Sequence, residues 1–432
     1  MLRIQKPSSL ASPSWKRARE TLANWAVVLL GLFAARGAGA LASIVIARRV
    51  SPSTYGQYVS TYALASFLVV LPSYGLETWL LTRDHASTSE LIQLWSGSIR
   101  SRVKLLLVWI AGMFVLGAIL PSKTFPPAIL GPTVIGLGFD SLVLLSYAAL
   151  RSLDKHGAVT VLQSLASVAL LGIAFGLPFK EDQVHVFAVG RALISAAFAL
   201  VTVPLVASRR SHGTMATAPA PRVLESARPF MVAEVAGAVY VKADLTILAF
   251  FLGSSGASVY GPALSLLQAV FLIPRALYFL IVPDLSQGHT EDHRAFARKG
   301  LMQLLAQATA GAFLSVGVLL LAPMAVDTLF GPAYQDSAEI LRLLSPIPFL
   351  RSLNFGLGAI LASGGRQSSR TRVQLVCAAF SVLGNLVAIP TIGVRGAAKV
   401  YVLSELMLCA GYSLIAHDWL IEGVVTPGGA NS

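Results

Sequence analysis

Residues 24–80 read NWAVVLLGLFAARGAGALASIVIA (24–47), RRVSPST (48–54) and YGQYVSTYALASFLVVLPSYGLETWL (55–80). Each apolar run is longer than the ~20 residues that carry a helix across hydrocarbon. The short segment between them holds Arg48, Arg49 and a Ser-Pro-Ser turn. Two membrane helices joined by a tight polar turn are the expected result. Composition extends this reading to the whole chain of 432 residues, with 55% hydrophobic and 12% charged residues. The charged share is about half the ~25% of ordinary soluble domains, and the mean hydropathy is +0.71. So much apolar surface has no place in a water-soluble fold.

The same pattern repeats to the end of the chain. Twelve spans are expected: 24–47, 55–80, 105–121, 128–150, 158–178, 185–207, 230–252, 258–283, 301–323, 337–362, 373–390 and 396–416. Pro72, Pro274 and Pro346 interrupt three of them, which membrane helices tolerate when neighbours satisfy the freed backbone groups. The fold class is therefore an all-α polytopic membrane protein. Residues 1–23 read as a basic arm and 417–432 as a tail. The run to Ala47 is too long for the apolar region of a cleaved signal peptide.

Charge sets the expected orientation. With the N-terminus inside, twenty-one Lys and Arg fall in inner segments and six in outer ones. Both termini and the 208–229 linker are then cytoplasmic, in a cytoplasmic (inner) membrane. This one-sided placement, rather than nucleic-acid binding, accounts for the net charge of +13. The six Trp, at 15, 25, 79, 95, 109 and 419, sit mostly near proposed span ends and read as an interfacial belt.

The stretch RRSHGTMATAPAPRVLESARPF (208–229) is the longest hydrophilic segment and divides the chain into 24–207 and 230–416. The halves echo each other: Tyr55-Gly56 and Tyr260-Gly261 each begin the second helix of a half. Two pseudo-symmetric six-helix lobes are expected, as in duplicated transporters with their site at the interface of the halves.

With these residues in view, the chain resembles the polysaccharide-exporter flippases, a branch of the multidrug/oligosaccharidyl-lipid/polysaccharide exporter superfamily. The resemblance rests on IARRVSPSTYGQY, LPSYGLE, Asp244 in ADLTILAFFLG, VYGPALSL, Pro283-Asp284-Leu285-Ser286 and LFGPAY (329–334). It covers about 24–416. It implies movement of polyprenyl-diphosphate-linked oligosaccharide across the membrane for O-antigen, capsule or exopolysaccharide synthesis. The implied partners are the lipid-linked sugar, the bilayer, and polymerases or glycosyltransferases of the same pathway.

Independently of the resemblance, the sequence puts charges at membrane depth, where each is costly unless it meets a partner or a wet cavity. The cations are Arg36, Arg191, Lys242, Arg275, Arg342 and Arg351, and the acids are Asp140, Glu234, Asp244 and Glu405. A cationic cavity suits a lipid diphosphate, whose oxygens accept bidentate bonds from Arg. The acids are candidates for coupling or for pairing, for example Asp140 with Arg36 or Glu234 with Lys242. Arg191 and Arg342 lie nearer the outer boundary. Head-group selectivity is expected of polar residues such as Gln163, Gln268, Asn354 and Asn385.

Flipping breaks no bond, and no nucleophile, metal or other cofactor is expected. Cys377 and Cys409 lie in apolar runs, the His residues lack zinc spacing, and GxGxxG and GxxxxGK[ST] are missing from the sequence. Two alternatives remain. A multidrug/cation antiporter of the same superfamily would favour a carboxylate-dominated site. A membrane glycosyltransferase or polysaccharide polymerase would favour an acidic dyad or a long outer loop.

Overall fold

The computed structural model describes residues 37–83, 85, 87–177, 183–209, 220–278 and 293–425. Among these residues the regular elements are helices, with no strand. They are α1 (37–49), α2 (Pro52–Leu68), α3 (Val70–Ser73), α4 (Leu76–Thr82), α5 (Thr88–Ile119), α6 (Pro127–Ser152), α7 (His156–Gly176), α8 (Val184–Ala207), α9 (Ala220–Val270), α10 (272–278), α11 (His293–Leu329), a 3₁₀ turn (Pro332–Tyr334), α12 (Gln335–Leu343), α13 (Ile347–Ser363), α14 (Gln367–Ile392) and α15 (Val394–Val425). Among the described residues eight helices are long and apolar enough to cross a membrane, or ten if each of two bent pairs makes one crossing. The expected twelve also includes 24–47, described only from residue 37, and separate spans for 230–252 and 258–283.

Local chemistry explains the breaks. Ser51 caps α2, its hydroxyl accepting from the Thr54 N–H with Pro52 in the first turn, so the polar segment after α1 ends in a helix start. The expected second span is not straight: α2–α3 and α4 meet at 48°. Tyr74 and Gly75 both take left-handed backbone there, at φ 53° and 66°. Gly75 also lies against the backbone of Phe230 and Met231, where a Cβ would come within 2.5 Å of the Phe230 carbonyl carbon. The α12–α13 pair bends by 46°, with Pro346 just before α13.

α9 carries the sharpest change. As a straight helix its 51 residues would extend about 77 Å. Gly253, at φ 67° and ψ −158°, interrupts it. The Tyr260 hydroxyl donates to Asp244 Oδ2 at 2.9 Å, although 16 residues separate them. On an unbroken helix they would stand about 24 Å apart. The chain therefore doubles back at Gly253, a conformation that glycine adopts without steric cost.

Two compact units emerge, Met1–Val235 and Ala236–Ser432. The boundary falls inside α9, and residues 220–229, read from sequence as linker, begin that helix. In the first unit α6 is central: 61% of its apolar window is buried, against 17% for α7. Val161, Leu165, Val168 and Phe175 of α7 are exposed and suited to lipid. Val223, Ala227 and Phe230 of α9 join Leu76, Trp79, Trp95 and Leu145 in one core cluster. Trp79, Trp95 and Trp109 are thus buried, which corrects the expected interfacial belt at these three positions. Their ring area does more by filling the core than by sitting at the head groups.

The positively charged segment before the third span also needs correction. Arg102 lies within α5 and is fully buried. Its Nη1 donates to Glu77 Oε1 at 2.8 Å and to the Ser141 carbonyl at 3.0 Å, and also reaches Ser141 Oγ. Its Nη2 donates to Glu77 Oε2 at 2.8 Å and to the Ser73 carbonyl at 2.6 Å. One guanidinium thereby joins α4, α6 and the carbonyl at the end of α3. At the other end of this unit, Arg49 donates to the Phe175 and Leu177 carbonyls at 2.7 and 3.0 Å, and Gln57 donates to the Lys123 carbonyl at 3.1 Å. These contacts bring the end of α1, the start of α2, the α5–α6 turn and the end of α7 together, as alternating spans require.

In the second unit α11 packs closely on α13. A Cβ on Gly311 would lie 2.7 Å from Ser352, and one on Gly356 would lie 3.0 Å from Leu304. Ser315 Oγ accepts from the Phe349 N–H at 2.9 Å, satisfying a donor near the Pro346 bend. α13, α14 and α15 meet around Leu357, Leu361, Cys377, Leu408 and Tyr412.

Replacing Arg102 with Ala would leave the Glu77 carboxylate largely buried without its counter-charge. The expected cost is about 3 to 5 kcal/mol. A marked fall in the thermal midpoint of the purified protein is expected, partly reversed when Glu77→Leu is added. An unchanged midpoint for Arg102→Ala would contradict this role.

Candidate functional site

Besides the Arg102–Glu77 pair, each unit holds an ion pair between two of its helices, and the polarity of these two pairs is reversed. In the first unit the acid is on α6 and the cation on α8: Arg191 Nη2 reaches Asp140 Oδ2 at 3.2 Å. The same nitrogen donates to the Tyr62 hydroxyl at 3.3 Å, and the guanidinium lies 4.5 Å from the Tyr62 ring centroid. Tyr58 stacks on Tyr62 and meets Phe187 edge-on. In the second unit the cation is on α13 and the acid on α15. Arg351 Nη1 donates to Glu405 Oε1 and, at 3.2 Å, to the Tyr401 hydroxyl. Asn354 Nδ2 donates to Glu405 Oε2 at 2.7 Å and to the Glu405 carbonyl at 3.1 Å. The Phe271 ring lies 5.2 Å from the Arg351 guanidinium.

The environments differ. The Arg191 and Asp140 side chains retain 21% and 35% of their exposure, whereas Arg351 retains 16% and Glu405 none. Arg351 is held on one edge: its Nε and Nη2 make no hydrogen bond among the described residues. Asp244 is buried in the same unit, accepting from the Leu245 N–H at 2.7 Å and from Tyr260, and it lies within electrostatic reach of Arg351.

The remaining sequence candidates fall in varied places. Arg36 lies outside the described residues. Lys242 is half-buried on α9, and Arg275 is half-buried on α10 with its Nη1 buried and without a hydrogen-bond partner among the described residues. Arg342 is exposed on α12. Glu234 accepts from the Thr78 hydroxyl at 2.9 Å. Asp140 and Glu234 therefore have contacts other than Arg36 and Lys242. Asn354 joins the ion pair, while Asn385 bonds back to the Ser381 carbonyl on its own helix.

The Tyr-Gly echo has a shared physical role. Tyr55 and Tyr260 are both fully buried, and each hydroxyl bonds to a side chain on the preceding helical segment, Ser43 at 2.8 Å and Asp244 at 2.9 Å. The Tyr62 and Tyr401 contacts had no visible sequence signal. Glu77 had one, an acid inside an apolar run, which called for a buried cation such as Arg102.

A family model described as polysaccharide biosynthesis protein matches residues 21–283, more than half of the chain. The chain belongs to this family. Its solved structural neighbours are transporters of similar architecture. A lipid II flippase, MurJ, in an inward closed conformation superposes with TM-score 0.72 at 12% identity, over 94% of this chain and 93% of that one. A multidrug resistance MATE family transporter of the MOP superfamily, inward-facing, gives 0.64 at 13% identity over 91% and 96%. A MOP superfamily transporter from Pyrococcus furiosus, whose description reports reverse polarity of its binding pocket, gives 0.62 at 12% identity over 93% and 96%. No curated protein sequence matches the chain. This member of the polysaccharide biosynthesis family is thus a multi-pass membrane protein with the fold of MOP-type transporters.

The two ion pairs differ in what their loss costs. Asp140→Asn is expected to reduce stability by about 1 kcal/mol or less, because solvent screens this partly exposed pair. Glu405→Ala leaves Arg351 without its counter-charge in a buried site and is expected to cost several times more, about 3 kcal/mol or above. Thermal midpoints measured side by side check the order, and equal shifts would contradict it.

Proposed function

We propose that this protein is a flippase, not an enzyme, and moves polyprenyl-diphosphate-linked oligosaccharide across the cytoplasmic membrane for cell-surface polysaccharide synthesis. The observation that carries this reading is the unspent hydrogen-bonding capacity of two guanidinium groups in the second unit. Among the described residues Arg275 Nη1 is buried with no partner, and Arg351 offers an open edge while Glu405 and Tyr401 hold the other. A buried unpartnered donor such as Arg275 Nη1 matches an anionic ligand, and the open Arg351 fork matches phosphate geometry. Family membership supports a role in polysaccharide pathways, with the fold of lipid and drug transporters beside it.

The proposed head-group contacts are Arg275 and Arg351, with Arg36 and Lys242 as further cations. Arg191 is paired with Asp140 as Arg351 is with Glu405, and stands apart from the cations of the second unit as a further candidate; Arg342 is the weakest candidate because it is exposed. The proposed mechanism is alternating access, driven without a nucleotide. The proposed domain organisation keeps 24–207 and 230–416 as the transporting halves. Polymerases and glycosyltransferases of the pathway are proposed partners.

Translocation of a labelled polyprenyl-diphosphate oligosaccharide by the reconstituted protein tests this directly. Arg275→Ala and Arg351→Ala are expected to reduce the rate at least about tenfold, the loss of one charge-assisted contact. Arg351→Lys should restore part of it, keeping the charge and losing the fork. Unchanged rates in the Ala variants would reject the anion site, and transport of organic cations instead of the lipid would favour the antiporter reading. Orientation has its own test: a Cys at Ser211 is expected to resist membrane-impermeant reagents in intact cells. Labelling there would reverse the assigned topology.

A further inference from the structure

Within the second unit, α11, α13 and α15 enclose a cavity of about 50 Å³. Its walls are Phe296, Gly300 and Leu304 of α11, Leu357 and Ile360 of α13, and Ala416 of α15. Leu301 completes the lining and is more than half exposed, like its neighbours Met302 and Leu305. The cavity therefore borders the surface that this bundle turns to lipid. A Cβ on Gly300 would lie 3.2 Å from Ile360 Cγ1, so the two helices approach over a glycine, and its missing side chain leaves the space. No polar side chain lines it. A space of this kind stays dry and takes hydrocarbon.

The cavity lies at one end of the bundle. The apolar span of α11 begins at Arg298, that of α15 ends at His417, and α13 gives way to α14 between Ser363 and Gln367. This is the level at which hydrocarbon meets head groups, and it is rich in cations. Arg298 and Lys299 are exposed within a turn of Gly300. A Cβ on Gly358 would lie 3.6 Å from Arg370 Nε, which puts the start of α14 beside the α13 turn that lines the cavity. Arg366 and Arg372 are exposed there as well. Over 293–300, 357–372 and 413–425 the sequence holds six Lys and Arg against two acids, Asp418 and Glu422. An apolar slot below a cationic rim matches a lipid with a negative head group, its chain in the slot and its phosphate on the rim.

We infer that this cavity seats one bilayer phospholipid with an anionic head group, its phosphate held by Arg298 and Lys299 and a short length of its acyl chain lying between α11, α13 and α15. The small volume favours an unbranched acyl chain over the methyl-branched polyprenyl tail of the proposed substrate. Neither Arg275 nor Arg351 belongs to the lining, so the site stands independently of the diphosphate reading. A lipid bound here touches three helices of the unit and stabilises their packed arrangement.

Native mass spectrometry of the full-length protein in mild detergent, titrated with phosphatidylglycerol or with phosphatidylcholine of the same chains, tests the site. One phosphatidylglycerol is expected to bind at least about tenfold more tightly than phosphatidylcholine, since each cation near a membrane surface strengthens attraction to anionic lipid about fivefold. Arg298→Gln combined with Lys299→Gln should remove that preference. Leu301→Trp adds bulk at an exposed position and closes the mouth of the cavity, and Ala416→Leu fills the cavity from another helix. Each should weaken both lipids by about tenfold, the worth of roughly two buried methylenes. The thermal midpoint of the unmodified protein in nanodiscs should rise with the phosphatidylglycerol fraction, and that of the double Gln variant should not. Equal affinity for the two phospholipids would overturn the anionic head group. A preference that survives in the double Gln variant would overturn the assignment to Arg298 and Lys299, and unchanged binding in both cavity variants would overturn the seat of the chain. Displacement of phosphatidylglycerol by a short-chain prenyl-diphosphate sugar at equal concentration would give the cavity to the transported lipid instead.

Discussion

A charge inside a lipid-embedded helix bundle has no bulk water to turn to, so its partner must come from another helix. This constraint explains why Arg102 reaches Glu77, Ser73 and Ser141, and why Glu405 holds Arg351. Removing one partner leaves an uncompensated charge, which is far more costly than the intact pair is stabilising. The pairs therefore specify which helices meet and in what register. Apolar side chains then fill the remaining volume, but lipid-facing and core-facing Leu or Val are chemically alike in a membrane and give little direction on their own.

Backbone breaks follow the same rule. Where Tyr74 and Gly75 interrupt the second span, the Ser73 carbonyl is taken by Arg102. Near the Pro346 bend, the Phe349 N–H is taken by Ser315. Gly253 turns the chain back on itself, and the Tyr260–Asp244 bond joins the two arms. At the first two breaks a side chain from a neighbouring segment completes the backbone hydrogen bonding, and at the third a side-chain bond ties the two arms together.

The two units use this chemistry in opposite senses. Asp140 on α6 faces Arg191 on α8, whereas Arg351 on α13 faces Glu405 on α15. Both cations are also held by tyrosine hydroxyls. Yet the first pair is the more exposed of the two, and in the second the Asn354 amide donates to both the carboxylate and the carbonyl of Glu405. The two units thus have unequal electrostatics, with the more enclosed ion pair in the second.

The amino-acid sequence by itself determined the membrane class and most of the spans, because hydrocarbon demands long apolar helices and short polar turns whatever their packing. It also exposed the charges at membrane depth, since each interrupts an otherwise apolar run, and the Tyr-Gly echo, since Tyr55 and Tyr260 fill matching buried positions. Only the tertiary structure decided the partners. Arg102 looked like a loop cation until α5 extended through it, and Trp79, Trp95 and Trp109 looked interfacial until neighbouring helices enclosed them. Asp140 and Arg191, Arg351 and Tyr401, and Glu405 with its partners Arg351 and Asn354 are separated by 50 to 54 residues along the chain. Such contacts depend on how helices rotate and cross, which hydropathy and charge counts along one chain do not encode.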